Sequence, residues 1–354
     1  MQTQSKFRLL VVRLGAMGDI LHALPAVTAL RKAHPSWVID WVVEPRWSAL
    51  LSAQSATARD STLQPVVDRL QLASTREWRR SPLSSSTLQQ IRAFRRGLRE
   101  GSYDVVLDLQ GSIRSAVIGR MAGARRRIGE AEPRERPARW LFTERVLTHG
   151  AHVIEQDVEL AAAIAGDALE PVQPSLPVDP AAEAWAAELH SDSPVPIALI
   201  NPGAGWGAKR WPPERYGTVA RELAHRGFRI FVNAGPGEVA LAGEIAQASG
   251  GTASVVVPTL EQLIAITRRV ALVIAGDTGP LHLACALGKP VVGIYGPTDP
   301  CRNGPFGSPF RVLRSPLSRR DYSRHQAPEA GLLTIQPDDV LRATAELLYP
   351  EASA

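Results

Sequence analysis

The stretch LLVVRLGAMGDILHALPAV, residues 9–27, decides the fold. It opens on a run of Leu and Val of the kind that forms a strand buried on both faces, passes through a glycine-containing turn and continues into helix-forming residues. Strand, turn and helix in that order begin a βαβ unit, so a mostly parallel sheet is expected. Gly15 and Gly18 read as the residues that let the backbone turn tightly, which puts Asp19 at the start of a helix. That is the carboxyl end of the sheet, where doubly wound folds place their sites. The loop is no dinucleotide fingerprint: GxGxxG is absent, and a carboxylate stands where a pyrophosphate would lie.

Outward from this unit, short Val/Ile/Leu runs alternate with amphipathic stretches. Strands are expected near 9–14, 39–44, 103–109 and 126–129, with helices near 20–34, 88–100 and 113–122 between them. A proline-rich segment, 166–196, follows with one helix near 181–190, and a linker is expected there. A second set of strands lies near 196–201, 229–233, 254–257, 271–275 and 291–295. Its helices fall at 213–226, 237–248, 260–269 and 280–287, several opened by Pro, Gly or Thr. The expected class is therefore α/β, with two doubly wound Rossmann-like domains at 1–175 and 176–335. A last helix at 337–348, within a terminal segment 336–354, is expected to pack back on the first domain.

At 354 residues, each half can bury a full core without disulfides or metals. Cys285 and Cys301 have neither CxxC nor Cys/His spacing, so a structural zinc, a redox pair and a disulfide framework are all disfavoured and a reducing cytosol fits. The N-terminus lacks the apolar run of a signal peptide, and no stretch reaches the ~20 apolar residues of a membrane-spanning helix. The formal net charge is +5 and arginine crowds the first half, which favours an anionic partner or else a solvated helix face. Nucleic acid is disfavoured, because aromatics make up only 6% of the chain and no RNA-recognition or helix-turn-helix signature occurs.

Asp19 has two readings, a helix N-cap or a general base that takes the proton of an acceptor hydroxyl. His22, one turn on, either assists it or packs in the helix. In the second half, AGDTGPLHLACALGKPVVGIYGPTDP, 275–300, runs a buried strand into Asp277-Thr278-Gly279-Pro280. Pro280 starts a helix whose free N–H groups can receive an anion, and His282 sits on its first turn. NPGAGWGAKRWPPERY, 201–216, adds Gly203, Gly205 and Gly207 for close backbone approach and Lys209 as a point charge for phosphate. NAGPGE, 233–238, places Glu238 after a strand, either on ribose hydroxyls or as a helix cap.

Together these motifs resemble the ADP-heptose:lipopolysaccharide heptosyltransferases, most of all the heptosyltransferase I group. The resemblance runs through MGDILHALPA (17–26), IDWVVE (39–44), DVVLDLQGSIRSA (104–116), DTGPLHL (277–283) and YGPTDP (295–300). It implies an inverting, metal-independent enzyme without cofactor, of glycosyltransferase-B architecture, its two domains facing a cleft. Asp19 is then the implied catalytic base, assisted by His22. Lys209, Thr278 and the helix after Gly279 hold the donor diphosphate, Asp277 and His282 face the heptose and phosphates, and Glu238 the adenosine ribose. Gly18, with Arg76, Arg79 and Arg80 of TREWRR, is assigned to an acidic acceptor, Kdo-lipid A. The sequence departs from the pattern at 201–211, where Gly and Ala replace the hydroxyl-bearing pair commonly found before the lysine. A monomer is expected, cytoplasmic and peripheral to the inner face of the cytoplasmic membrane. The alternatives are heptosyltransferase II or III, another nucleotide-sugar transferase, or a non-catalytic protein binding nucleotide sugar or nucleic acid.

Overall fold

The computed structural model describes residues 6–189, 195–321, 323 and 325–349. The chain divides into two compact units, Met1–Pro177 and Val178–Ala354. The first contains β1 (Arg8–Val12), α1 (Met17–Ala33), β2 (Val38–Val43), β3 (Arg69–Leu72), α2 (Thr75–Arg80), α3 (Ser85–Glu100), β4 (Val105–Asp108), α4 (Ile113–Ala122), β5 (Arg126–Glu130), β6 (Glu144–Val146) and α5 (Val153–Ala165). The second contains α6 (Pro180–Glu188), β7 (Ile197–Asn201), α7 (Pro213–His225), β8 (Arg229–Asn233), α8 (Val239–Ala248), β9 (Ala253–Val256), α9 (Leu260–Arg269), β10 (Leu272–Gly276), α10 (Gly279–Ala286), β11 (Val291–Tyr295), α11 (Pro300–Asn303), β12 (Phe310–Arg314) and α12 (Pro337–Leu348).

Each unit carries a six-stranded sheet, ordered β3-β2-β1-β4-β5-β6 in the first and β12-β11-β10-β7-β8-β9 in the second. All ten pairings are parallel. This is the doubly wound order, in which the chain starts at the centre, winds to one edge, then returns to wind to the other. Its switch point lies between β1 and β4 in the first unit and between β7 and β10 in the second. The central strands are covered by helices on both faces, which is why Leu9, Leu10, Val11 and Val12 are all solvent-excluded and why β1 reads as a continuous apolar run.

Three strands have no such run. β3, β6 and β12 lie at the sheet edges with half-exposed sequences such as RLQL and ERV, so charged and polar side chains stand where the central strand β1 has the buried run LLVV. The helix α5 was also not anticipated; it packs along α1. The terminal helix α12, expected to pack back on the first domain, is part of the second unit: Val340, Leu341 and Ala343 join that unit's core with Trp211, Tyr216 and Leu223. Trp211 explains this, since its indole N–H donates to Ile335 O at 3.1 Å and ties the lead-in of α12 to α7.

Candidate active site

In the first unit the β1–α1 loop stands at the switch point. Gly15 has φ +148°, and a Cβ there would lie 2.7 Å from the Trp47 indole, so both backbone and space require glycine. Gly18 is a correction: it is the second residue of α1, and the turn is made at Gly15 alone. Asp19 is not the N-cap either. Ala16 occupies that position with no side chain able to cap, and Asp19, three residues on, accepts the Ala16 N–H at 2.8 Å. The other carboxylate oxygen lies 3.5 Å from the Arg13 guanidinium, and the side chain stays 38% exposed, open to a solute. Arg13 is buried and also donates from Nε to the Asp19 carbonyl at 3.1 Å, fixing backbone and carboxylate together.

The loop is held from across the switch point by Gln110, at the end of β4. Its Oε1 accepts the Leu14 N–H at 2.8 Å and its Nε2 donates to Gly15 O at 3.0 Å, so one amide closes both main-chain groups as a neighbouring strand would. Gln110 is fixed in turn by Asp108, whose Oδ1 accepts the Gln110 and Gly111 N–H groups, each at 2.9 Å, and the Ser115 hydroxyl at 3.0 Å. Burial pushes the Asp108 carboxyl up to about 6, against the pull of these donors and of Arg13. Asp157 on α5 is buried as well and pushed up to about 7. Burial is the main cause, opposed by Arg13 and reinforced by Asp19 and Glu130. His22 is buried, its ring edge-on to that of His152 with centroids 5.6 Å apart.

Arg76, Arg79 and Arg80 are exposed on α2, at the carboxyl end of the edge strand β3. The helix is pinned by Thr75, which donates to the buried Glu44 and accepts from Arg114 at 3.0 Å. Arg46 stacks over Trp47 at 4.4 Å, and burial together with the nearby Arg76 lowers its pKa. Arg46, Arg76 and Arg114 thus gather around the carboxyl ends of β2, β3 and β4.

In the second unit, Lys209, Asp277 and His282 come together. Lys209 Nζ donates to Asp277 Oδ2 at 2.5 Å and to the Asp277 carbonyl at 3.0 Å, and lies 4.4 Å from the Trp206 ring centroid. His282 Nε2 is 3.2 Å from the other Asp277 oxygen. Burial alone would raise the Asp277 carboxyl; the hydrogen bond to His282 and the Lys209 charge outweigh it and hold the group well below the usual carboxylate range. Thr278 is the N-cap of α10, yet its hydroxyl donates to Gly276 O at 3.2 Å and caps no helix N–H; Pro280 has none and those of Leu281 and His282 donate to Thr278 O, so the Gly279 N–H is the one left to another acceptor. Gly279, not Pro280, is the first helical residue.

Glu238 sits apart, in the β8–α8 loop, accepting the Gly235 N–H at 3.0 Å. Its carboxylate fills the space beside Gly203, where a Cβ would approach within 2.1 Å. Gly207 is similarly pressed by the backbone at 326, so two of the three loop glycines serve internal packing; Gly205 alone faces open space. In YGPTDP, Asp299 caps α11 and pairs with Arg320, while the buried Thr298 hydroxyl has no partner among the described residues. No group of His, Cys, Asp and Glu suited to a metal ion occurs among the described residues, and no helix there is long and apolar enough to cross a membrane.

Sequence reasoning missed Arg13, Arg46, Trp206 and Gln110. For Gln110 no local signal exists, since its partners lie 96 and 95 positions earlier in the chain.

Two doubly wound units, one with a carboxylate at its switch point and the other with a lysine and an uncapped helix N-terminus at its own, define a two-domain nucleotide-sugar transferase class. The chain belongs to glycosyltransferase family 9 (heptosyltransferase), whose family model matches residues 91–331, and it is a glycosyltransferase. It is 30% identical over 317 residues to lipopolysaccharide heptosyltransferase 1 of Salmonella typhimurium, covering 87% of this chain and 94% of that one. It is similar to the structure of Escherichia coli heptosyltransferase WaaC with ADP, at TM-score 0.77 and 27% identity over 96% of this chain and 99% of that one. A second structure of WaaC, with ADP-2-deoxy-2-fluoro heptose, matches at TM-score 0.74 and 26% identity over 98% of this chain and all of the other.

Proposed function

We propose that the enzyme transfers heptose from ADP-heptose to the Kdo region of lipid A with inversion at the anomeric carbon, as a heptosyltransferase I. The observation that carries the mechanism is the Asp19 carboxylate: exposed at the switch point, one oxygen held by Ala16 N–H, the other turned toward Arg13. The acceptor hydroxyl attacks the anomeric carbon, its proton passes to Asp19, and the bond to ADP breaks. Lys209 and the Gly279 N–H at the start of α10, with the positive end of that helix, meet the charge on the departing diphosphate. Lys209 reaches that position by exchanging its Asp277 partner for phosphate oxygens, which leaves Asp277 and His282 to the sugar. Glu238 takes the ribose.

Arg76, Arg79 and Arg80, with Gly18 in the first turn of α1, receive the anionic acceptor, and His22 supports the base from the α1–α5 interface. No metal or cofactor takes part, and the enzyme works as a monomer at the inner face of the cytoplasmic membrane. The test is a panel of ADP-heptose and other nucleotide sugars against Kdo-lipid A and its singly heptosylated form, with and without EDTA. Product is expected from ADP-heptose and Kdo-lipid A, undiminished by EDTA, with the anomeric configuration opposite to the donor's. Preference for the heptosylated acceptor would make it a heptosyltransferase II, and loss with EDTA restored by a divalent ion would overturn the metal-free mechanism.

A further inference from the structure

We infer that the ridge formed by residues 136–147 of the first unit is the surface by which this enzyme beds on an anionic phospholipid membrane. The inference rests on the peripheral-membrane reading proposed above and assigns it a place. All eight tryptophans lie among the described residues, and seven are buried or half-buried; Trp140 is 70% exposed. It does not hang on a loose loop. Ala138 and Phe142, on either side of it, are buried against Ala116 of α4, so the indole is projected from a packed base. Ile113 and Val117, flanking Ala116 on α4, are exposed too, as is Leu147 beyond β6.

Arginines frame the indole. Arg136, Arg139 and Arg145 are exposed, and Arg145 Nε donates to Arg139 O at 3.0 Å, which joins β6 to the 136–141 turn. The nearby acids are occupied: Glu135 accepts the Ile113 N–H at 2.9 Å, and Glu144 holds Arg126 through two bonds of 2.7 and 2.9 Å. Among the described residues no carboxylate lies within ion-pair distance of Arg136, Arg139 or Arg145, so their charge faces outward. An amphipathic ring amid unpaired guanidinium groups matches the headgroup layer, apolar enough for indole and lined with phosphates. A protein partner would call for a broader apolar patch with a polar rim.

The position also suits the reaction. Glu135 N–H donates to Gly111 O at 2.9 Å, and Gly111 follows Gln110, which holds the Asp19 loop. The head of the ridge, next to Glu135, thus lies at the same end of this unit as Asp19, and from there the ridge runs back along the unit to Leu141, whose carbonyl accepts from Arg127 at the start of β5.

The experiment is co-sedimentation of the full chain with phosphatidylcholine vesicles, with and without phosphatidylglycerol. The variants are Trp140→Ala and the pair Arg136→Glu/Arg139→Glu; ADP affinity and melting temperature serve as controls for folding. Wild type is expected to sediment only with the anionic vesicles. At about fivefold in partitioning per basic residue near an anionic leaflet, the arginine pair should cost at least about 25-fold. Loss of the indole should cost roughly tenfold. Anionic-vesicle binding undiminished in both variants would overturn the assignment of this ridge while leaving peripheral association intact. Absence of wild-type binding would overturn both. A dimer that Trp140→Ala dissociates, with no vesicle binding, would make the ridge a contact between copies instead.

Discussion

Gln110→Ala should disable turnover while leaving the protein folded. The substitution deletes both hydrogen bonds across the switch point and leaves the buried Leu14 N–H without an acceptor, a cost of ~1–3 kcal/mol. That is too little to unfold a unit with a core of this size, but the loop carrying Asp19 is then free to shift. A displacement of the base by about 1 Å is worth on the order of 100-fold in kcat, so kcat should fall by that order with little change in the donor KM. Gln110→Glu sharpens the test. Ionised, its carboxylate still accepts from Leu14 N–H but sets a negative oxygen against Gly15 O; protonated, near the ordinary Glu pKa of about 4.3, it regains the donor and mimics the amide. The activity of this variant relative to wild type should therefore rise as pH falls from 8 toward 5, while the Ala variant keeps a constant ratio. Steady-state kinetics across that range, with exchange of the Leu14 amide followed alongside, decide it. Near-normal kcat in Gln110→Ala, or a Glu variant with no acid recovery, would refute the clamp.

The other predictions concern charge. Lys209→Ala leaves Asp277 buried without its lysine, the two side chains being 11% and 8% exposed, so stability should drop by roughly 3–5 kcal/mol and ADP affinity with it. Adding Asp277→Asn should recover the melting temperature but not ADP binding, and recovery of both would move the diphosphate elsewhere. Because the folded Asp277 pKa is depressed, its contribution is present above the unfolded value of about 3.9 and lost as pH falls below it. Asp157 has the opposite sign: raised to about 7, it favours the folded state fully below pH ~4 and loses that contribution as pH rises through 7. Asp157→Asn should thus gain about 2 kcal/mol on wild type between pH 5 and pH 8, and a flat difference in thermal melts would contradict the burial argument. Charge reversal at Arg76 should raise the KM for an acidic acceptor, more at low salt than high, and leave ADP affinity in calorimetry unchanged; equal losses in both would detach α2 from the acceptor.

Much of the fold is legible in the chain because central parallel strands must be apolar on both faces. RLLVV, VVLD and VVGIY announce themselves, whereas RLQL, ERV and FRVLR at the edges need only one covered side and look like loops. The site is legible to the extent that its residues follow strands. Asp19, Lys209 and Asp277 do, and the last two turn out to pair. Residues that act by holding others are harder to see: nothing local in Gln110 says that it bonds a loop 96 positions earlier. The glycines mislead for a related reason, since Gly203 and Gly207 are required by Glu238 and by the backbone at 326, neighbours far away in sequence.

The most direct measurement compares wild type with Asp19→Asn, supplied with ADP-heptose and Kdo-lipid A, by mass spectrometry of the glycolipid. Asparagine retains an oxygen for Ala16 N–H and gives up a 3.5 Å ion pair that is partly exposed on the Asp19 side, while the buried Arg13 keeps its bond to Asp19 O, so the variant should lose only about 1 kcal/mol, melt within a few degrees of wild type and bind ADP equally well. Wild type should yield the acceptor carrying one added heptose, and Asp19→Asn essentially none. A folded Asp19→Asn enzyme that forms product at a near-normal rate would contradict the assignment of Asp19 as the base.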